Sequence, residues 1–292
     1  MNLAAIDIGS NAARLLIEEV VENDKGVVQF NKLNLIRVPL RLGFDVFKDG
    51  KISAEKQKMF YDTMNAFAYL MDAYNVSHVK ACATSAMRDA ANSSEVINKI
   101  KEDTGIAISI ITGDEEAAYI YDNHIAENLD KEHAYLYIDV GGGSTELSFF
   151  DEGKLSYKKS FNIGTIRLLK NMVTNAEWDE MKDAIKTHIK SKLPTIAIGS
   201  GGNINKVHSL SKRKDGQPLR LDLLKDYFKE FSAVPVEERI RIYNLREDRA
   251  DVIVPALQIY INVMKWAETE DIYVPKIGLA DGLIHSLYEA VK

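Results

Sequence analysis

Two short segments place an acid at the end of an apolar run and then turn at once on glycine and a hydroxyl side chain. The first is Ile6-Asp7-Ile8-Gly9-Ser10-Asn11; the second, 132 positions on, is Ile138-Asp139-Val140-Gly141-Gly142-Gly143-Ser144-Thr145. Each reads as a buried strand ending in a tight turn. Such a turn presents several backbone N–H groups to phosphate oxygens, and the neighbouring carboxylate can hold the cation that phosphate chains carry. One turn of this kind is common to many folds. Two, one per half of the chain, point to two facing domains with a polyphosphorylated ligand between them. Three consecutive glycines accept backbone conformations closed to other residues and let a ligand approach the main chain. Neither segment fits G-x-x-x-x-G-K-[ST] or G-x-G-x-x-G, so the common phosphate loops are excluded.

Three further segments carry chemistry-bearing residues. Ile198-Gly199-Ser200-Gly201-Gly202-Asn203 again follows an apolar run and precedes a helical pattern, whose N-terminus favours an anion; a plain strand-to-helix turn explains it equally well. Ala83-Thr84-Ser85-Ala86-Met87-Arg88-Asp89 puts two hydroxyls and an arginine after another strand. Arg88 suits paired hydrogen bonds to a phosphate, or a salt bridge to Asp89 or a helix C-terminus. Thr112-Gly113-Asp114-Glu115-Glu116-Ala117 opens a helix with three acids in its first turn. The helix dipole accounts for them; the competing reading is that one acid faces a cleft and orients water. Glu115 and Glu116 project about 100° apart, so at most one does so. Glu146, just past the triple-glycine turn, reads either as a second catalytic acid or as an exposed strand residue.

The elements that position these residues come in a repeating order. Apolar and β-branched runs at about 3–9, 13–22 and 26–38 predict three strands. A helix is expected over 54–74, with Ser53 as its N-cap and Lys56 where a capping-box acid would stand. Strands at 79–83 and 107–111, with helices near 94–104 and 114–128, complete a βββαβαβα half. The order then restarts: strands at 134–140, 145–150 and 154–161, helices near 164–172 and 176–192, and a strand at 195–199. Helices follow near 202–212, 221–231, 236–243 and 251–268, before a strand at 271–274 and a closing helix near 281–291. The domain boundary falls within or just after the 114–128 helix, giving domains of about 1–120 and 121–280.

Composition limits the alternatives. The chain has 292 residues, 46% of them hydrophobic and 27% charged, ample for two globular cores. No signal-peptide pattern opens it and no apolar run approaches the roughly 18 to 20 residues that span a bilayer, so a cytoplasmic protein without a membrane partner is the expectation. The single cysteine, Cys82, lies in an apolar run and reads as a core thiol. The histidines at 78, 124, 133, 188, 208 and 285 lack the close spacing of a zinc site. A net charge of −6 argues against a general nucleic-acid partner, whereas a polyanion needs only a local basic cleft. Lys154, Lys158, Lys159, Arg167 and Lys170 form one basic cluster, and Lys212, Arg213 and Lys214 another; solvated surface charge is the simpler reading of most of them.

In order, Asp7 to Asn11, Thr84 to Arg88, Thr112 to Ala117, Asp139 to Glu146 and Gly199 to Gly202 resemble the motifs of the exopolyphosphatase and guanosine pentaphosphate phosphohydrolase family, within the actin, sugar kinase and Hsp70 superfamily. The resemblance covers almost the whole chain. It implies an α/β fold of two ribonuclease H-like domains with an interdomain cleft, the closing helix over about 281–292 packing back on the first domain. It implies that Glu116 is the catalytic acid preparing water for in-line attack on a terminal phosphoryl group, with Glu146 as the second acid. Asp7, Asp139 and Glu146 match positions around the phosphates and Mg²⁺. Ser10, Asn11, Arg14, Arg88, Gly141, Gly142, Gly143, Ser144, Gly201 and Gly202 match phosphate-contacting positions. The implied partner is inorganic polyphosphate or guanosine pentaphosphate; related two-domain enzymes are often homodimers, and no stripe in this sequence proves an interface.

The chain departs from the family at three places. Ala12 stands where the first motif usually has Ser, removing a hydroxyl, with Arg14 as partial compensation. Gly278-Leu279-Ala280-Asp281-Gly282 stands where Gly-Leu-Arg-Glu-Gly is frequent. Longer members carry further C-terminal helical domains, and without them the basic channel is expected to be shorter and processivity lower. Two rivals to the hydrolase are a non-catalytic guanosine alarmone-binding module, in which Ala12 and Ala280 mark lost catalysis, and a sugar-kinase-like phosphotransferase.

Overall fold

A computed structural model describes residues 1–121, 132–275 and 278–292. The chain forms two compact units, Met1–Asn123 with Gly278–Lys292, and His124–Ile277. Residues 122–128 of the helix predicted over 114–128, where the sequence places the domain boundary, lie outside the described residues.

In the first unit, β1 (Asn2–Ile8), β2 (Ala13–Glu22) and β3 (Val28–Val38) form an antiparallel meander. It is followed by α1 (Leu42–Asp49), α2 (Ala54–Ala73), β4 (Val76–Ala83), α3 (Ser85–Asp89), α4 (Ser93–Thr104), β5 (Ile108–Ile110) and α5 (Gly113–Tyr121). The sheet runs β3-β2-β1-β4-β5, with β4 parallel to both β1 and β5. β1 is almost continuously apolar because both of its faces are covered, and only Asp7, near its end, interrupts the run. α2 is capped by Ser53, whose side chain accepts from Lys56 N, and buries Phe60, Met64, Phe67 and Met71 along one face.

The second unit repeats the plan. β6 (Ala134–Val140), β7 (Thr145–Asp151) and β8 (Lys154–Phe161) form the meander, followed by α6 (Thr165–Leu169), α7 (Asn175–His188), β9 (Thr195–Ser200), α8 (Gly202–Leu210), β10 (Leu219–Arg220), α9 (Leu221–Ser232), α10 (Val236–Tyr243), α11 (Glu247–Ala250), α12 (Ile253–Trp266) and β11 (Asp271–Tyr273). Its sheet runs β10-β11-β9-β6-β7-β8. Read from the meander outward, both sheets share one order: third, second and first strand, then two parallel strands. α12 packs against α6, α7, α8 and α9 and buries nine side chains, including Leu257, Tyr260 and Met264.

The last helix, α13 (Leu279–Val291), belongs to the first unit, where Leu279, Leu283, Ile284 and Tyr288 close a core with Leu3, Ala5, Leu16, Val20 and Cys82. Gly282 makes this packing close: a Cβ there would lie 1.8 Å from the Tyr119 carbonyl oxygen of α5. Four short elements, α1, α3, β10 and α11, are absent from the sequence-based order. None exceeds eight residues, too short for a hydrophobic period to stand out.

Candidate functional site

In the second unit, the β6–β7 register sets the acids. Asp139 pairs with Glu146, and Val140 with Thr145, so the intervening turn is closed by Gly141 N donating to Ser144 O at 2.9 Å. Paired residues share a sheet face, and a carboxylate oxygen of Asp139 lies within 4.8 Å of one of Glu146. Glu146 is 3% exposed, which removes the reading of it as an exposed strand residue. Ser160, opposite Glu146 on β8, donates its hydroxyl to Glu146 Oε1 at 2.8 Å. Two facing carboxylates repel unless a cation or a proton joins them, and their hard oxygen donors suit Mg²⁺.

α6 fixes the triple-glycine turn from one side. Thr165 N donates to Gly141 O at 3.0 Å, Ile166 N to Gly142 O at 2.8 Å, and Arg167 Nε to Gly143 O at 2.8 Å. In a planar trans peptide the N–H points opposite to the C=O, so the N–H groups of Gly142, Gly143 and Ser144 point away from α6. Successive N–H groups turned to one side are the kind of concavity that suits an anion. The approach of α6 is close: a Cβ on Gly164 would lie 2.4 Å from Gly142 O and 2.4 Å from the Gly143 carbonyl carbon.

The third glycine turn joins the same site. A Cβ on Gly201, whose φ is +112°, would lie 3.1 Å from Val140 O and 3.4 Å from Asp139 Oδ1, so β9 delivers this turn against the end of β6. Tyr260, buried in α12, donates its hydroxyl to Ser200 O and pins the turn. Burial beside Asp139 pushes the Tyr260 phenol well above its ordinary pKa, so it remains a donor. The guanidinium of Arg249 lies over Gly202, 3.0 Å from where a Cβ would sit. Arg249 lies in the four-residue α11, which follows neither a strand end nor a glycine turn, so it lacks the signal that marks the other positions.

In the first unit the same geometry carries different side chains. Asp7 pairs in register with Arg14, and the turn is closed by Gly9 N donating to Ala12 O at 3.0 Å. Arg14 Nη1 forms an ion pair with Asp7 Oδ2. The α1 side again takes the turn's carbonyls: Arg41 N donates to Asn11 O at 3.0 Å and Gly43 N to Ser10 O at 2.9 Å. Ser10 is 2% exposed and shares a 2.8 Å hydrogen bond with Ser85 of α3, which braces the turn against the loop after β4. Ala12 is buried beside it.

At the start of α5 the two adjacent glutamates separate. Glu115 Oε2 accepts from Thr112 N at 2.7 Å and from Thr112 Oγ1 at 2.9 Å, while Glu115 N donates back to Thr112 Oγ1 at 3.1 Å. This is a capping box, and it accounts for Glu115 structurally. Glu116, half-buried, occupies the other direction. Arg88 donates to Ile111 O at 2.6 Å, bracing the chain just ahead of α5 rather than pairing with Asp89. Cys82 is a core thiol: burial pushes its pKa up to about 11, against the pull of Lys80 and with Asp7, Glu115 and Glu116 adding to the rise. Of the basic cluster, Lys159 is paired with Glu180 at 2.7 Å, and Arg167 serves the glycine turn.

A meander ending in a glycine turn, twice over, with acids near the strand ends, defines a two-unit α/β protein of the ribonuclease H-like class. Residues 20–290 match the Ppx/GppA phosphatase family, and the chain belongs to that family. It is 24% identical over 306 residues to a guanosine-5'-triphosphate,3'-diphosphate pyrophosphatase of Vibrio cholerae, covering 99% of this chain and 60% of that protein. It is 31% identical over 216 residues to the bifunctional 3-dehydroquinate synthase/phosphatase of Fusobacterium nucleatum, covering 68% of this chain and 32% of that one. The chain thus spans less than two thirds of either relative. Among solved structures it is similar to an exopolyphosphatase from Cytophaga hutchinsonii, with 27% identity, a TM-score of 0.86 and coverage of 100% and 99% of the two chains. A Ppx/GppA family member from Aquifex aeolicus gives 25% identity, a TM-score of 0.77 and the same coverage.

Proposed function

We propose that the chain is a phosphoric anhydride hydrolase that releases the terminal phosphate of a polyphosphorylated anion, inorganic polyphosphate or guanosine pentaphosphate, with Mg²⁺. The observation that carries this reading is the facing Asp139–Glu146 pair beside outward-turned N–H groups. One side of that site attracts a cation and the other an anion, as a metal-bound phosphate chain requires. Asp139 and Glu146 would hold the ion, with Ser160 fixing the Glu146 carboxylate. Mg²⁺, when bound, neutralises phosphoryl oxygens. The N–H groups of Gly142, Gly143 and Ser144, the Gly201–Gly202 turn and Arg14 orient the chain of phosphates. Glu116 accepts the proton of the attacking water, a role left to it because Glu115 is committed to the capping box. Phosphoryl transfer depends mainly on positioning and charge stabilisation, and this arrangement supplies both.

Phosphate release by the purified protein, offered long-chain polyphosphate and guanosine pentaphosphate side by side with Mg²⁺, tests the proposal. Glu116→Gln should lower the rate by roughly 10²- to 10⁴-fold, the usual worth of a general base. Guanosine alarmone binding without release from either substrate would instead favour a regulatory module.

A further inference from the structure

Gly199 and Gly201, which flank Ser200 at the end of β9, both make room for Tyr260 of α12. A Cβ on Gly199 would lie 3.3 Å from Tyr260 Cε1, and one on Gly201 would lie 3.4 Å from the Tyr260 hydroxyl oxygen. The side chain is 1% exposed, and its hydroxyl lies where β6 and β9 end. Hydrogen-bonded pairs alternate with non-bonded ones along an antiparallel ladder. Gly141 N bonds to Ser144 O, so the next pair back, Val140 and Thr145, turns its backbone groups outward, those of Val140 toward β9. In the parallel register Asp139 pairs with Ser200, which sets Val140 N–H and Ser200 C=O at the last rung between the two strands. The Tyr260 hydroxyl meets both groups: it donates to Ser200 O and accepts from Val140 N–H. One buried hydroxyl therefore ties the two strand ends together.

Each strand end carries one side of the site. Asp139, on the cation side, precedes Val140, and the Gly201–Gly202 turn, on the anion side, follows Ser200. The two sides are close: a Cβ on Gly201 would lie 3.4 Å from Asp139 Oδ1. We infer that the Tyr260 hydroxyl is a positioning group that fixes the spacing between the Asp139 carboxylate and the Gly201–Gly202 turn, and so sets how far a bound cation assists phosphate binding; this rests on the hydrolase reading for the identity of the two ligands. Tyr260 acts through the two strand ends and not on the reacting atoms. A phenol suits the place because it donates and accepts at once. Phenylalanine would keep the ring against Gly199 and lose only the link between the strands.

Calorimetric titration of tripolyphosphate, metal-free and as its Mg²⁺ complex, into the Glu116→Gln protein reads binding with turnover suppressed. The ratio of the two affinities measures the coupling between the cation and anion sides. Tyr260→Phe in this background should lower the ratio roughly fivefold to tenfold, the worth of one buried hydrogen bond. Leu257→Ala, one turn earlier on α12 and equally buried, removes core packing and leaves the hydroxyl in place. It should lower the melting temperature at least as much as Tyr260→Phe and hold the ratio within twofold of the parent. A Tyr260→Phe ratio within twofold of the parent, or an equal fall in Leu257→Ala, overturns the inference and leaves the hydrolase reading standing. A parent protein that binds tripolyphosphate in neither form refutes the hydrolase reading, and the inference with it.

Discussion

Replacing Gly164 by alanine should disable the triple-glycine turn without touching any acid. Gly164 is the N-cap of α6, and its added Cβ would lie 2.4 Å from Gly142 O, whereas ordinary contact begins at 3.4 Å. The difference, 3.4 − 2.4 = 1.0 Å, must be taken up by backbone, because the groups met are the carbonyls of Gly142 and Gly143 and not the flexible end of a side chain. Overpacking of this kind costs about 2 kcal/mol, and for a chain of this size that corresponds to a melting temperature roughly 4–8 °C lower. The functional effect should be larger. The displaced N–H groups are those proposed to position phosphate, and a 1 Å misplacement of reacting groups lowers rate roughly 10²-fold. The assay pairs thermal unfolding with steady-state phosphate release. Gly202→Ala is the comparison: its Cβ meets the movable guanidinium of Arg249 at 3.0 Å and should melt close to the native protein. A Gly164→Ala protein with native melting temperature and native kcat would refute the idea that close packing of α6 builds the turn.

Glu18 titrates in the physiological range. Burial, with Asp281 adding, pushes its carboxyl from 4.5 up to about 7, against the opposing pull of Lys32. A carboxyl whose folded value is raised favours folding most below about 4.5, and that contribution is lost as pH rises through 7. Glu18→Gln should therefore flatten the fall in stability between pH 6 and 8, by about 1.4 kcal/mol. Urea unfolding at the two pH values checks it. Glu115→Ala should lose about 1 kcal/mol of stability with the capping box and keep kcat within a few-fold, the reverse of Glu116→Gln; chemical denaturation and phosphate release separate the two. Cys82, buried and raised to about 11, should react with a thiol reagent at pH 8 only as fast as the native protein opens, which mass spectrometry with and without urea would show.

The repeated order of strands was legible in the sequence because β1 and β6 are continuous apolar runs broken by a single aspartate, and because turns punctuate each meander. The acids and glycines of the site were legible for the same reason: they follow strand ends. What the sequence withheld is what depends on register and packing. Glu146 faces Asp139 on one side and Ser160 on the other only through the register of three strands. The close approach of Gly164 to the turn arises between segments more than twenty residues apart. The capping role of Glu115 does have a spacing signal, Thr112-x-x-Glu115, and the hydrogen bonds from Thr112 show it in place.

The central claim, water attack on a terminal phosphoryl group with Glu116 as base, is tested most directly by turnover in ¹⁸O-labelled water. The account predicts phosphate as the released product, each molecule carrying one ¹⁸O, no label in the shortened substrate, and loss of labelled phosphate in Glu116→Gln. Pyrophosphate as the first product, label in the remaining chain, or undiminished labelled phosphate from Glu116→Gln would contradict it.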